Sequence, residues 1–362
     1  MSPARGNRTP GGEPNSGRPV RLKDVAAHLG LSPTTVSLVM NRSPAARGIP
    51  PGTQDRVRAA AEELGYRPNF IARSLRRQRT FAVGVLLPEI SEGYAAGVLG
   101  GIEDQLLQEG YFYLVAGHHS KPDLFDDYLQ LLTERSVEGL ILVNTPIEQA
   151  LALPAVAVAG HREIEGVTNV VIDHEMAARL ALGHLATLGH RRIAFFKGHA
   201  HSADTESRWQ AIVAASADLG LEIDPRLTLQ LSGGPAGEQF SPEEGYREGH
   251  IFGQKLLAVG VPFTALFAFN DISAIGAMRA IVENGLRIPD DVSVIGFDDI
   301  LSAAFQNPSL TTVRQPLHEM GRRAAAELLR KLSASGEDSP AAITIEPTMV
   351  VRNSTGPLPG DG

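Results

Sequence analysis

The chain has 362 residues, 43% hydrophobic and 20% charged, the composition of an ordinary globular protein with room for two or three domains. With no cysteine it can form neither a disulfide framework nor a thiolate metal site. With no apolar run near the roughly 18 residues of a membrane span, and no signal-peptide core, it is expected in the cytoplasm.

The net charge of −8 is unevenly spread: residues 1–80 carry 14 Lys and Arg against 5 Asp and Glu, a net of +9, which leaves −17 for the remainder. A basic head on an acidic body points either to an anionic partner for the head or merely to a solvated face. Residues 1–17, "MSPARGNRTPGGEPNSG", have almost nothing to bury and read as a disordered tail. In "RLKDVAAHLG" the residues Leu22, Val25, Ala26 and Leu29 share one helical face, and Gly30 suits the left-handed position that ends a helix. "SPTTVSLVMN" restarts at once, with Ser32 as cap, Pro33 at the first helical position, and Val36 and Val39 facing inward. A third helix follows in "PGTQDRVRAAAEELG", with Val57, Ala61 and Leu64 buried and Gly65 as its stop. Two helices across a tight turn, buttressed by a third, make the helix-turn-helix that lays its second helix in a DNA major groove, predicted here over 18–66. Thr34, Thr35, Ser37, Leu38 and Asn41 are placed outward on that helix. A ligand-free helical bundle is the competing reading, and the arginines crowded between Arg42 and Arg79 weigh against it.

From Phe81 the period changes. The runs "FAVGVLL", "YFYLVAG", "GLILVN", "AVAVAG", "RIAFFKG", "LTLQLSG", "ALFAFN" and "VSVIGF" alternate with amphipathic helical segments, the pattern of parallel sheets covered on both faces. The length of this region predicts two such lobes over 81–351, followed by a polar C-terminal tail, 352–362. Ligands of open α/β sheets sit beyond the carboxyl ends of strands, which singles out Tyr94, Arg208, Phe240, Asn270, Asp271, Asp298 and Asp299. Asp271 could instead cap the following helix, and Asp299 could hold a turn.

The motifs "LKDVAAHLGLSPTTVSLVMN", "RVRAAAEELGYRPNFIARSLR", "GHRRIAFF", "FAFNDISAIGAMRAI" and "VSVIGFDD" resemble the lactose-repressor (LacI/GalR) family of bacterial transcription regulators, from about Pro19 to Val351. The resemblance implies an all-α N-terminal DNA reader on an α/β body of periplasmic-binding-protein type, two-lobed with an effector cleft. DNA contact would fall to Lys23, Pro33, Thr34, Thr35, Ser37, Leu38 and Asn41, with Asn69, Ala72 and Leu75 in a hinge over 67–80 whose Leu75 wedges into the minor groove. Leu75 as an ordinary linker anchor is the alternative. Arg208, Asn270 and Asp298 would line the cleft and grip neighbouring hydroxyls, and Phe240 or Tyr94 would lie on a sugar ring. Two departures stand out. Leu38 replaces the arginine usual within "TVSRV", and the loop "RSPAARGIPPG" is longer than the family's.

The pairs His118/His119 and His199/His201 lack the spacing of a metal motif and read as loop histidines, and no Walker loop, nucleophile elbow or dinucleotide fingerprint is present. Neither a cofactor nor a metal is expected, and no enzyme. A regulator, a transport receptor and a sugar-converting enzyme are the function classes considered. The basic head disfavours the second and the missing catalytic constellation the third. What is expected is a homodimeric repressor that binds pseudo-palindromic double-stranded DNA under the control of a small polar effector, most simply a sugar, with no membrane partner. The alternative is a cytoplasmic sugar sensor without specific DNA recognition.

Overall fold

The computed structural model describes residues 20–41, 43–66, 79–90, 93–200, 202–232, 242–333 and 340–358. The chain divides into two compact units, residues 1–80 and 81–362. The expected tail over 1–17 and residues 67–78 of the expected hinge lie outside the described residues.

In the first unit α1 (Leu22–Leu29) starts where the Asp24 carboxylate accepts the Arg21 N–H at 2.7 Å, and ends at Gly30, whose φ of 63° favours a residue without Cβ. α2 (Pro33–Met40) is capped by the Ser32 hydroxyl, which accepts the Thr35 N–H at 3.0 Å. With α3 (Pro51–Glu63) these helices bury Val25, Val36 and Val57 completely, one from each. The proline-rich loop is held as well. Pro44–Gly48 forms a 3-10 turn, and the Gln54 amide at the start of α3 donates to the carbonyls of Ala46 and Ile49 at 3.0 and 2.9 Å.

The second unit holds two sheets. β1 (Ala82–Leu87), β2 (Phe112–Gly117), β3 (Gly139–Val143), β4 (Ala155–Val158), β5 (Val167–Ile172) and β11 (Ala342–Ile345) form a parallel sheet in the order β11-β5-β4-β3-β1-β2. β6 (Ile193–Lys197), β7 (Thr228–Gln230), β8 (Ala265–Phe267), β9 (Ser293–Asp298), β10 (Thr311–Arg314) and β12 (Thr348–Val350) form the other, in the order β12-β10-β9-β8-β6-β7. Only β12 there runs antiparallel to its neighbour, β10. The chain crosses between the lobes three times, after β5, β10 and β11. All eight apolar runs read from the sequence are strands, whereas β5, β10, β11 and β12 lie outside those runs.

Helices cover both faces of each sheet. In the first lobe α4 (Tyr94–Gln108) and α11 (Leu317–Ser333) set Val98, Ile102, Met320 and Leu328 on Val83 and Val85, and α5 (Pro122–Glu134) packs Leu132 over Leu86 and Leu140. In the second, α6 (His174–Thr187) and α7 (Asp204–Asp218) pack Leu182 and Ile212 on Phe195, while α8 (Pro242–Ala258) and α9 (Asp271–Glu283) set Leu256 and Ala277 against Phe196, and the short α10 (Leu301–Ala304) follows β9. Adjacent strand residues thus serve opposite layers.

Among the described residues, each lobe holds a helix pair in backbone contact. A Cβ on Gly101 of α4 would lie 1.8 Å from the His318 carbonyl oxygen of α11, and one on Gly276 of α9 would lie 2.2 Å from the Tyr246 oxygen of α8. Gly101→Ala gains about 1 kcal/mol of helix propensity, against an overpacking penalty of up to about 3 kcal/mol where backbone must yield. Urea denaturation should therefore show a net loss of about 2 kcal/mol, and an unchanged midpoint would mean that the helices separate freely.

The segment expected as a polar tail is packed over residues 352–358. The Ser354 hydroxyl, 0% exposed, donates to the Val294 carbonyl and accepts the Thr311 N–H; the Gly356 carbonyl lies 3.0 Å from His190 Nε2, and the Leu358 N–H reaches the Leu188 carbonyl. Its polar side chains hold it by saturating backbone groups, a role that an apolar-run reading does not detect. Among the described residues no helix is long and apolar enough to cross a membrane.

Candidate functional site

On the head, Lys23, Pro33 and Thr34 are exposed and Leu38 is partly exposed. Thr35 shares a hydroxyl contact of 2.8 Å with Ser32. Ser37 does not face outward as expected: it is 7% exposed, and the Asn41 amide donates to its carbonyl and hydroxyl oxygens at 2.8 and 3.2 Å. Asn41 therefore closes α2 at its C-terminus, and the outward surface narrows to the first turn and Leu38. That turn is the positive end of a helix dipole, suited to a phosphate. Asn69, Ala72 and Leu75 lie outside the described residues.

In the body, strained backbone collects at strand carboxyl ends. Asn144 after β3, Ala159 after β4, and Asp298 and Asp299 at the end of β9 have φ of 45°, 60°, 113° and 59°. Non-glycine residues persist in such conformations where surrounding structure holds them, commonly at functional sites.

Arg208, 4% exposed, is fixed from several sides. Nη1 donates to the Phe269 carbonyl at 2.6 Å and Nη2 to Asp204 Oδ2 at 3.0 Å, and the guanidinium carbon lies 3.7 Å from the Phe297 ring centroid and 4.4 Å from that of Phe269. Asp204 in turn meets His161 Nε2 at 2.7 Å and His174 Nε2 at 3.2 Å, both at Oδ1. Burial pushes the Asp204 carboxyl up, but His174, His161 and Arg208 together outweigh it and hold the group below the ordinary carboxylate range. At Asp298 burial wins and raises the carboxyl to about 7, against the pull of Arg208 and of the Gln315 amide, which donates at 2.6 Å. Burial likewise pushes the Tyr94 hydroxyl up, helped by the charges of Asp204 and Asp298. Tyr94, Arg208 and Asp298 are thus brought together.

The other predicted residues divide. Asn270 spends its side-chain oxygen as the cap of α9, accepting the Ser273 N–H at 2.9 Å. Asp271 is not the cap; its buried carboxylate accepts the Thr312 hydroxyl at 2.6 Å and the Ile300 N–H at 2.9 Å. Asp299 binds Arg314 and Arg352. Phe240 and His201 lie outside the described residues. His118 and His199 are buried rather than free in loops: His118 meets the Thr145 hydroxyl at 2.9 Å and is pushed down to about 4 by burial, and His199 meets Glu248 at 2.7 Å.

Sequence reasoning missed His161, His174, Asp204, Asn144 and Gln315. His174 and Gln315 follow two unanticipated strands, β5 and β10. Asp204 stood one helical turn before Arg208, an i, i+4 signal that was available. The lobes also bond directly across the cleft. Besides His161–Asp204, the Asn144 side-chain oxygen accepts the Ser202 hydroxyl and the Ala203 N–H, both at 3.2 Å. Tyr94 Oη, Arg208 Nε, Gln315 Oε1 and His174 Nδ1 are buried without a partner among the described residues.

Residues 21–69 match the bacterial regulatory proteins of the lacI family, and residues 182–355 match the periplasmic binding protein-like domain. The HTH-type transcriptional repressor PurR of Haemophilus influenzae is 30% identical over 344 residues, which cover 92% of this chain and 98% of that protein. The chain belongs to the lacI family. Another relative, the PurR repressor of Yersinia pestis, is 31% identical over 342 residues, covering 92% and 96%. Among solved structures, the lac repressor dimer bound to operator and the anti-inducer ONPF superposes with a TM-score of 0.78 at 25% identity, over 94% of this chain and 100% of that one. The complex of the regulator CelR with cellobiose gives 0.66 at 28% identity, over 93% and 100%. As a lacI-family member this chain is a DNA-binding transcriptional regulator, not an enzyme, whose helix-turn-helix is followed in sequence by a periplasmic-binding-protein-like body.

Proposed function

We propose that the protein is a cytoplasmic homodimeric repressor whose affinity for a pseudo-palindromic operator is set by a polyhydroxylated effector, a sugar, bound between its lobes. The reading rests chiefly on the buried polar atoms without partners among the described residues, Tyr94 Oη, Arg208 Nε and Gln315 Oε1, beside Asp298. Each buried group left unpaired costs about 1–3 kcal/mol, and a hydroxyl can serve the guanidinium as acceptor and the amide oxygen as donor. A sugar offers several hydroxyls at fixed spacing. The relative whose solved structure holds cellobiose supports the same class. Asn270 and Phe240 complete the proposed wall.

Thermal-shift screening of mono- and oligosaccharides beside nucleobases tests the effector class. A sugar that raises the melting temperature and changes operator affinity is expected; stabilisation by nucleobases alone would overturn the sugar. On the DNA side, Lys23, Pro33, Thr34, Thr35 and Leu38 are proposed at the groove, with Asn69, Ala72 and Leu75 from the hinge. An apolar Leu38 can touch a thymine methyl but cannot bond guanine, so Leu38→Arg should shift the preferred base at one symmetric pair of positions in a random-site selection, a discrimination of about 1–3 kcal/mol. The same selected site for both proteins would mean that Leu38 faces away from the bases.

A further inference from the structure

We propose that His161, His174 and Asp204 form a transition-metal site that ties one lobe to the other. His161 comes from the loop after β4 in the first lobe, and His174 and Asp204 are the first residues of α6 and α7 in the second. Their ligand atoms all lie within 4.8 Å of one another. The two imidazole Nε2 atoms approach the same carboxylate oxygen, Asp204 Oδ1, at 2.7 and 3.2 Å. Bonds of about 2.0–2.1 Å to a tetrahedral ion set donor–donor edges of about 3.3 Å; the 3.2 Å edge already fits, the 2.7 Å edge must open by about 0.6 Å, and the third pair, within 4.8 Å, adjusts through the side-chain torsions of the two histidines.

The surroundings hold these groups in place. A Cβ on Gly160 would lie 2.3 Å from Asn169 Oδ1, and the Asn169 amide donates to the Arg162 carbonyl at 2.8 Å, so the backbone on both sides of His161 is pinned to β5. His174 starts a helix capped by Asp173, whose carboxylate accepts the Met176 N–H at 2.8 Å. Arg208 occupies Asp204 Oδ2 at 3.0 Å and leaves Oδ1 as a single-oxygen ligand.

Two imidazoles and one carboxylate suit a borderline divalent ion such as Zn²⁺, Co²⁺ or Ni²⁺, whereas Ca²⁺ and Mg²⁺ require oxygen ligands throughout. Three protein ligands leave further coordination positions open. The neighbouring guanidinium repels a cation, which favours reversible binding over permanent retention. An ion bound by both lobes stabilises their closed arrangement, and so gives the regulator an input separate from its organic effector. The inference does not depend on the effector being a sugar.

The test uses the full chain freed of metal with a chelator and titrated with Co²⁺. One ion per chain is expected, with visible d–d bands. His161→Ala, His174→Ala and Asp204→Asn should each weaken binding by roughly 100-fold or more, exceeding the 10–100-fold loss typical when only an outer hydrogen-bond partner is removed. The exposed His318→Ala should bind as the parent does. Far-UV circular dichroism identifies any variant that misfolds, and His161→Gln then replaces His161→Ala. Unaltered affinity in the three variants, or no Co²⁺ bound by the parent, overturns the site. Dependence on His174 and Asp204 but not on His161 overturns the link between lobes. A failed sugar screen bears only on the effector.

Discussion

Arg208→Ala is expected to remove the effector response and to lower the stability of the body by about 3–5 kcal/mol, the range for breaking a buried ion pair from one side. Two losses add up there. Asp204 keeps only its histidine partners, and the space between the Phe269 and Phe297 rings empties. At roughly 2–4 °C per kcal/mol for a unit of this size, the melting temperature should fall by about 6–20 °C. Arg208→Lys retains the charge but cannot span Asp204 and the Phe269 carbonyl with one planar fork, so an intermediate loss is expected. Calorimetric unfolding of both variants, beside operator binding at 25 °C with and without effector, separates the two roles. A variant that melts like the parent yet ignores effector would show that these protein contacts contribute little; one that binds effector normally would remove Arg208 from the cleft.

Asp298→Asn should have the opposite effect on stability. Burial raises the folded-state carboxyl to about 7 from an ordinary 3.8, so ionisation is harder in the folded chain than in the unfolded one. The contribution of this group is fully present below about pH 4 and is lost as the pH rises through about 7, a total on the order of 4 kcal/mol for a shift of about three units. Asparagine cannot ionise, and its oxygen can still accept the Gln315 amide. Urea denaturation at pH 5 and pH 8 should show the advantage of the variant growing with pH, while effector affinity falls. Because Asp271 is also pushed up by burial, the informative quantity is the difference between variant and parent. A difference that is flat with pH would mean that Asp298 ionises without penalty.

Much of the fold is legible because the central strands are unbroken apolar runs: "GLILV" and "AVAV" can only be buried on both faces. β11 and β12 are short and half exposed and carry threonines, so their pattern is faint. β5 contains Thr168 and Asn169, polar residues whose side chains bind the carbonyls of Pro340 and Arg162 rather than marking a loop. Missing β5 and β10 hid His174 and Gln315, since the rule that locates sites beyond strand ends works only for strands that are recognised. Arg208 and Asp298 followed recognised strands and were found. Ser37 fails for a different reason: a small hydroxyl residue between the buried and exposed faces of an eight-residue helix can belong to either, and here it is buried under the Asn41 amide.

The two sheets have one more property in common, visible in the direction of synthesis. β11 completes the first and β12 the second, and residues 352–358 then clasp the second from outside. The three helices of the head pair within some forty residues of sequence and can fold soon after leaving the ribosome, whereas neither lobe has its full set of strands until residues beyond 340 have emerged. Both lobes are therefore finished together and late, and a chain broken off before that point carries a folded reading head on a body that cannot close either sheet.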